Sequence, residues 1–399
     1  MKAVVSIVKC EDYTPSKVLR LVKEVIDLLG GMGKFVQPGQ KVLLKPNLLS
    51  ARPPESAVCT HPAVVEAAAG LVMAAEGVCA IGDSPSIGGD PEGYQRLLRT
   101  TGMQEVMDRT GASAVRFDDA AVDRGIPDAK VFRRLLLAEV LNDADVLINL
   151  PKFKTHDLTR LTGAVKNLFG CIPGRRKAKF HLQAGDSSEM FAQMLVDLLR
   201  AVRPALSIMD GIVGMDGQGP AAGRRRNFGL ILASADPVAL DAVACMAAGV
   251  DPMAIPTIRL ASEQGVGATD VESIETVGLQ PEDVRIADFI LPERSDLVSR
   301  IPRPLYRMLR NQLVSSPAFV REKCSGCRSC VEMCPIHAIS GEGDRLRVNY
   351  SECIRCYCCR EVCPEEAICL RTGRISGSLE AALAVRRKIR SIIRRETSP

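Results

Sequence analysis

The feature that most narrows what this chain can fold into is a run of cysteines written twice. Cys324, Cys327, Cys330 and Cys334, with Pro335 behind them, read C-x2-C-x2-C-x3-C-P. Cys353, Cys356, Cys359 and Cys363, with Pro364, repeat that spacing 29 residues later. Both copies run on into Ala-Ile at the same offset, Ala338-Ile339 and Ala367-Ile368. A zinc site is satisfied by two C-x2-C pairs and would leave thiols over. A disulfide framework suits a small secreted domain. This chain has 399 residues and meets Glu11-Asp12 too soon after Met1 to hold a secretory signal.

What the spacing suits is two [4Fe–4S] clusters. Three closely spaced thiolates wrap one face of a cube, and the fourth points away to close the other cube. Cys324, Cys327, Cys330 and Cys363 are therefore assigned to one cluster, and Cys353, Cys356, Cys359 and Cys334 to the other. Cys358 and Cys369 are spare by the pattern. Residues 318–372 resemble a bacterial-type two-cluster ferredoxin domain, a small α+β fold. The resemblance implies one-electron transfer, with a redox partner protein or a low-potential electron donor.

Composition removes other classes. Aromatics make up 4% and Trp is absent, so platforms for stacking single-stranded nucleic acid are not expected. The net charge is +5, and residues 378–399, where six basic residues face two Glu, carry four of it. The body is nearly neutral, and nucleic-acid binding loses its electrostatic basis. No run approaches the ~18 apolar residues of a membrane span. The expected location is cytoplasmic, in a reducing cell.

The first 290 or so residues alternate apolar runs with helical periodicity. Strands are predicted at 3–8, 42–44, 78–81, 114–117, 146–150, 206–209 and 229–233, and helices at 16–29, 62–75, 190–202 and 238–248. This order argues for an α/β domain, a mainly parallel sheet with helices on both faces. Residues 291–317 lose the alternation and read as a connector with a short helix at 305–313. Residues 379–393 read as a basic amphipathic helix that docks on protein in preference to a membrane surface.

In such a sheet, ligands bind where strands end. Four strand ends carry unusual residues: Lys45-Pro46-Asn47, Asp83-Ser84-Pro85 with Gly88-Gly89, Pro151 to His156, and Asp210-Gly211. Each also has a plain reading, as a turn or a helix cap. Thr60-His61-Pro62 and Asp236-Pro237 read better as caps, Asp241 as a solvent-facing residue, and the glycines of 211–223 as a loop. Residues 150–181 are basic, with Lys152, Lys154, His156, Lys166 and Asn167 set among residues that want burial. Buried cationic ends need partners, and an anionic small molecule would satisfy several at once.

Lys45-Pro46-Asn47, Thr60-His61-Pro62, Asp83-Ser84, residues 149–156, residues 162–170, Asp210-Gly211-Ile212, Gly219-Pro220 and residues 233–241 together resemble the signature segments of a prokaryotic family, domain of unknown function 362. The resemblance covers about residues 35–250. It implies the α/β fold, and in similar members a ferredoxin-type domain behind it.

One function that follows is an oxidoreductase in which the clusters exchange electrons with an anionic small molecule. Lys45, Asn47, Lys152, Lys154 and Asn167 would hold it, and His156, Lys166, Asp83 and Asp210 are the acid–base candidates. Another is a non-catalytic electron carrier or cluster-delivery protein with the α/β domain as a docking module. A third is a non-redox enzyme whose clusters only stabilise or sense.

Overall fold

The computed structural model describes residues 2–86, 89–174, 176–184, 187–270, 272–292, 312 and 314–371. Gly88, Arg175, the helix expected at 305–313 apart from residue 312, and the basic helix at 379–393 lie outside the described residues. The chain divides into two compact units, Met1–Pro292 and Glu293–Pro399.

The first unit is an α/β structure. Its strands are β1 (Ala3–Lys9), β2 (Lys41–Pro46), β3 (Val78–Asp83), β4 (Ser113–Arg116), the separate hairpin β5 (Ala121–Gly125) and β6 (Arg134–Ala138), β7 (Val146–Leu150), β8 (Lys152–His156), β9 (Arg160–Thr162), β10 (Leu206–Asp216), β11 (Arg224–Ser234) and β12 (Ile274–Gly278). The main sheet runs β12-β1-β11-β10-β7-β2-β3-β4. Along this order neighbours are parallel except at β11, which runs against both β1 and β10.

Helices cover both faces because the strands are apolar on both. Val42, Leu44, Ile81, Ile148 and Ile208 share one core with α1 (Pro15–Asp27), α2 (Pro62–Ala74), α3 (Pro91–Thr100) and α4 (Met103–Thr110). Leu43 packs on the opposite side near α5 (Val140–Asp143). On that side Val5, Ile7, Met209 and Leu232 meet α6 (Ala164–Asn167), α7 (Arg176–Ala184), α8 (Ser188–Val202), α9 (Pro237–Ala247) and α10 (Pro256–Glu263). Sheets covered this way have continuous apolar strands. The caps read from sequence form: Asp236 accepts from the N–H groups of Val238 (2.8 Å) and Ala239 (3.1 Å).

Two segments are more ordered than their composition suggests. Within 150–181, β8 leaves β7 at Pro151, pairs with β10 and turns back into β9. All five residues of β8 are buried, so it shows no polar and apolar alternation. The glycines at 211 and 214 lie inside β10, which forms a long hairpin with β11.

The second unit repeats itself at the backbone. β13 (Ser316–Phe319) pairs with β16 (Ile368–Arg371), while β14 (Ile339–Ser340) pairs with β15 (Arg347–Val348). Each half thus exchanges a strand with the other. The left-handed positions also recur at the 29-residue offset: Arg328 and Tyr357 at φ 60°, His337 at 53° and Glu366 at 50°.

Candidate functional site

β3, β2, β7 and β10 are consecutive and parallel, so their C-terminal ends share one edge. The expected polar residues emerge there as two buried ion pairs. Lys45 Nζ lies 2.8 Å from Asp83 Oδ1, with both side chains almost fully buried. Asp83 also accepts from the N–H groups of Leu48 (2.9 Å) and Ser84 (2.9 Å). Gly170 sits against this pair. A Cβ there would fall 2.0 Å from Asp83 Oδ1 and 2.6 Å from Lys45 Nζ, so only glycine lets the chain pass so close.

In the second pair Lys152 Nζ donates to Asp210 Oδ2 at 2.7 Å and to the Tyr13 hydroxyl at 2.8 Å. Tyr13 donates to Asp210 Oδ1 at 2.8 Å, and the His61 N–H to Asp210 Oδ2 at 2.9 Å. The Tyr13 and His61 rings stack 3.6 Å apart. Burial pulls the Lys152 ammonium below the ordinary lysine range, against the opposing pull of Asp210. Burial also lowers His61 to about 4. Its Nδ1 accepts from the Ala63 N–H at 3.2 Å, which leaves the proton of the neutral ring on Nε2.

Asn167 lies beside the first pair. Its Nδ2 donates to Asn149 Oδ1 (2.8 Å) and to the Lys45 carbonyl (3.3 Å). That geometry fixes the amide orientation, and among the described residues Asn167 Oδ1 is buried without a partner, as is Asn47 Oδ1. The Asn47 N–H donates to Thr60 Oγ1 at 2.9 Å.

The other basic candidates take different surroundings. Lys154 donates to the Val58 carbonyl. His156 is buried and shapes the β8–β9 turn, its Nδ1 accepting from Leu158 (3.0 Å) and Thr159 (3.3 Å). Lys166 is half-buried and lies over the rings of Phe169 (4.9 Å) and Phe191 (5.7 Å). Lys177 donates to Ser84 O (2.9 Å) and to Ser84 Oγ, which in turn donates to Asp118. Burial draws Lys177 down to about 8.

Asp241 does not face solvent as expected. It is 2% exposed and accepts from the N–H groups of Ala164 (2.6 Å) and Val165 (3.1 Å) at the start of α6. Burial pushes its carboxyl up to about 7. α9 is buried on every side, so no polar stripe marked where Asp241 points. Tyr13 and Asp118 were not singled out by sequence; they follow no spacing rule. His61 was read as a cap and is one, but its N–H also serves Asp210.

In the second unit the thiols gather around two hollows with apolar linings. Cys324, Cys327, Cys330 and Cys363 line the first; Cys353, Cys356, Cys359 and Cys334 line the second. The last cysteine of each run lies with the first three of the other, and neither Cys358 nor Cys369 lines either cavity. The crossing sulfurs take matching backbone bonds, from Ala338 N to Cys334 Sγ and from Ala367 N to Cys363 Sγ, both 3.2 Å. Among the described residues no three or more His, Cys, Asp or Glu form a set that fits a single metal ion. A cube, whose four irons each take one thiolate, asks for sulfurs spread around a larger volume, and four soft donors about an apolar hollow meet that need.

These features define an α/β protein joined to a ferredoxin-type iron–sulfur unit. Residues 42–246 match the Domain of unknown function (DUF362), and residues 316–364 match a 4Fe-4S dicluster domain. The chain belongs to the DUF362 family, and its second unit is a [4Fe–4S]-binding electron-transfer domain. A thylakoid-associated protein of Synechocystis sp. is 38% identical over 294 residues, 72% of this chain and 88% of that relative. Two solved structures each align with a TM-score of 0.36. One is a Thermotoga maritima protein, 9% identical over 64% of this chain and 60% of its own. The other is the lactate racemase apoprotein of Thermoanaerobacterium thermosaccharolyticum, 12% identical over 59% and 55%. Among the described residues no helix is long and apolar enough to cross a membrane.

Proposed function

We propose that the protein is a cytoplasmic oxidoreductase that moves electrons between two [4Fe–4S] clusters and an anionic small molecule at the strand-end mouth. The observation that carries this reading is the pair of crossed thiol quartets, each around its own cavity. When bound, each cluster supplies one electron at a time. Cys324, Cys327, Cys330 and Cys363 would hold one, and Cys353, Cys356, Cys359 and Cys334 the other.

In the first unit, Lys45, Asn47, Lys152, Lys154 and Asn167 orient the ligand. Adding electrons to an anion raises its basicity, so the site must hold protons near it. Lys152 suits this role: it is hydrogen-bonded to Tyr13 and Asp210, and its ammonium is weakened by burial. His156, Lys166, Asp83 and Asp210 remain the other acid–base groups of this reading. The test is anaerobic reconstitution, iron analysis, and mass spectrometry of any co-purified small molecule. About eight irons per chain and a bound anion are expected. About four irons or fewer, or zinc in their place, would refute the electron-carrying half.

A second reading is an electron carrier or cluster-delivery protein whose α/β unit only docks a redox partner. It is favoured by Lys45 and Lys152 already facing Asp83 and Asp210, which answers part of their charge internally. Lys166→Ala and His156→Ala separate the two. Loss of a ligand's effect on cluster redox behaviour supports the enzyme, and no change in any ligand or partner assay supports docking. The relative's name calls that protein thylakoid-associated. Flotation of this chain with anionic vesicles would test whether residues 378–399 take it to a membrane surface.

A further inference from the structure

Cys358 is spare by spacing, yet it has a counterpart. Twenty-nine residues earlier, two places after the second thiol of the first run, stands Ser329. Both residues open a one-turn helix, Ser329–Glu332 and Cys358–Glu361, and both follow a left-handed residue, Arg328 or Tyr357 at φ 60°. That turn folds the side chain back toward the thiol two residues before it. Cys327 Sγ and Ser329 Oγ are hydrogen-bonded at 3.5 Å. In the second half the Cys358 thiol donates to the Cys356 sulfur, as does the Cys358 backbone N–H. Cys358 is 4% exposed, whereas Ser329 is half-buried. Neither lines a thiol hollow. Each therefore reaches its neighbouring sulfur from behind and does not compete with it for iron.

We propose that Ser329 and Cys358 are positioning residues: each donates a side-chain hydrogen to a cluster-bound sulfur, that of Cys327 and of Cys356 respectively, and each raises the reduction potential of the cluster which that sulfur holds. An iron-bound cysteine is a thiolate with no proton to give, so the hydrogen in each contact must come from the neighbour. Reduction puts more negative charge on the cluster and its sulfurs. A hydrogen bond to a sulfur strengthens with that charge and so favours the reduced form; such bonds are among the levers that set cluster potentials. The serine O–H is the better donor and the cysteine S–H the weaker one. The low dielectric around the buried second contact offsets part of that difference.

This rests on both quartets holding clusters, and iron content separates that question from this one. The experiment is an anaerobic redox titration of the reconstituted full chain with dithionite, with the hyperfine-shifted cysteine protons assigned to each cluster. C358A is expected to lower one midpoint only, that of the cluster of Cys353, Cys356, Cys359 and Cys334. At fixed poise its reduced-to-oxidised ratio should fall roughly twofold or more, where tenfold is about 59 mV for one electron. S329A should do the same to the other cluster alone. C358S supplies the donor that the first half already uses from a matching backbone, and should hold the midpoint at or above wild type. Should C358A load poorly, S329A, at the less buried position, carries the test. With about eight irons bound, an unmoved midpoint, equal shifts of both clusters, or a C358S that falls with C358A each overturns the proposal. About four irons or fewer would instead remove the two-cluster reading beneath it.

Discussion

Asp210→Asn is the most direct challenge to the strand-end mouth. The substitution keeps the shape and removes the charge that Lys152 meets at 2.7 Å, both side chains being at most 1% exposed. Two unit charges about 3 Å apart at an effective dielectric of 20 interact by about 5 kcal/mol. Breaking one partner of a buried pair typically costs ~3–5 kcal/mol, so a loss in that range is expected. The asparagine amide can keep its carbonyl toward the ammonium, but its NH2 then meets the Tyr13 hydroxyl, which donates there in the native pair. Lys152, already weakened by burial, should then shed its proton in the folded state. A lysine whose folded pKa lies below its unfolded value destabilises the fold at low pH, and that loss is recovered as pH rises toward the unfolded pKa. The deficit of D210N should therefore shrink between about pH 7 and pH 10. Urea denaturation followed by far-UV circular dichroism measures this, with visible absorbance reporting the clusters separately. The double variant K152M/D210N should be less damaged than the sum of the singles by about 2 kcal/mol or more. A D210N deficit under about 1 kcal/mol, or strictly additive losses, would refute a coupled buried pair.

Gly170→Ala should force Asp83 and Lys45 apart, since the new methyl would sit 2.0 Å from the carboxylate; a drop of about 3 kcal/mol or more is expected on thermal denaturation. Asp241, raised to about 7 in the fold, contributes no penalty below its unfolded pKa near 4 and the full one above about pH 7. Stability should fall across that window by about 4 kcal/mol, and D241N should flatten the slope in denaturation curves at pH 5 and pH 8. Cys363→Ser should act on the cluster of Cys324, Cys327 and Cys330 directly and on that of its own run only through the loss of its neighbour, as read from hyperfine-shifted cysteine signals. C358S should leave iron content at the wild-type level, because Cys358 lines neither cavity.

Different parts of the molecule were legible in sequence for different reasons. The thiol quartets, including the crossing of Cys334 and Cys363, could be read because cluster chemistry dictates spacing along the chain. The strands of the sheet could be read from short apolar runs, and β7 falls at the predicted residues. What could not be read were pairings across the fold. Lys45 and Asp83 are 38 positions apart, and no local pattern joins them. β8 was taken for a basic loop because its lysines lie inside, where burial erases alternation. Asp241 was misplaced for the same reason, on a helix with no wet side.

The strand exchange of the second unit, with the crossing of Cys334 and Cys363, has a consequence for maturation and for damage. Neither half owns a complete nest for its inorganic cargo, because each waits on its neighbour for the last bond. Loading should therefore be all-or-nothing, with half-filled chains scarce at equilibrium. An oxidant that strips one cube would loosen the anchor of the survivor, so the two would perish together and not in turn.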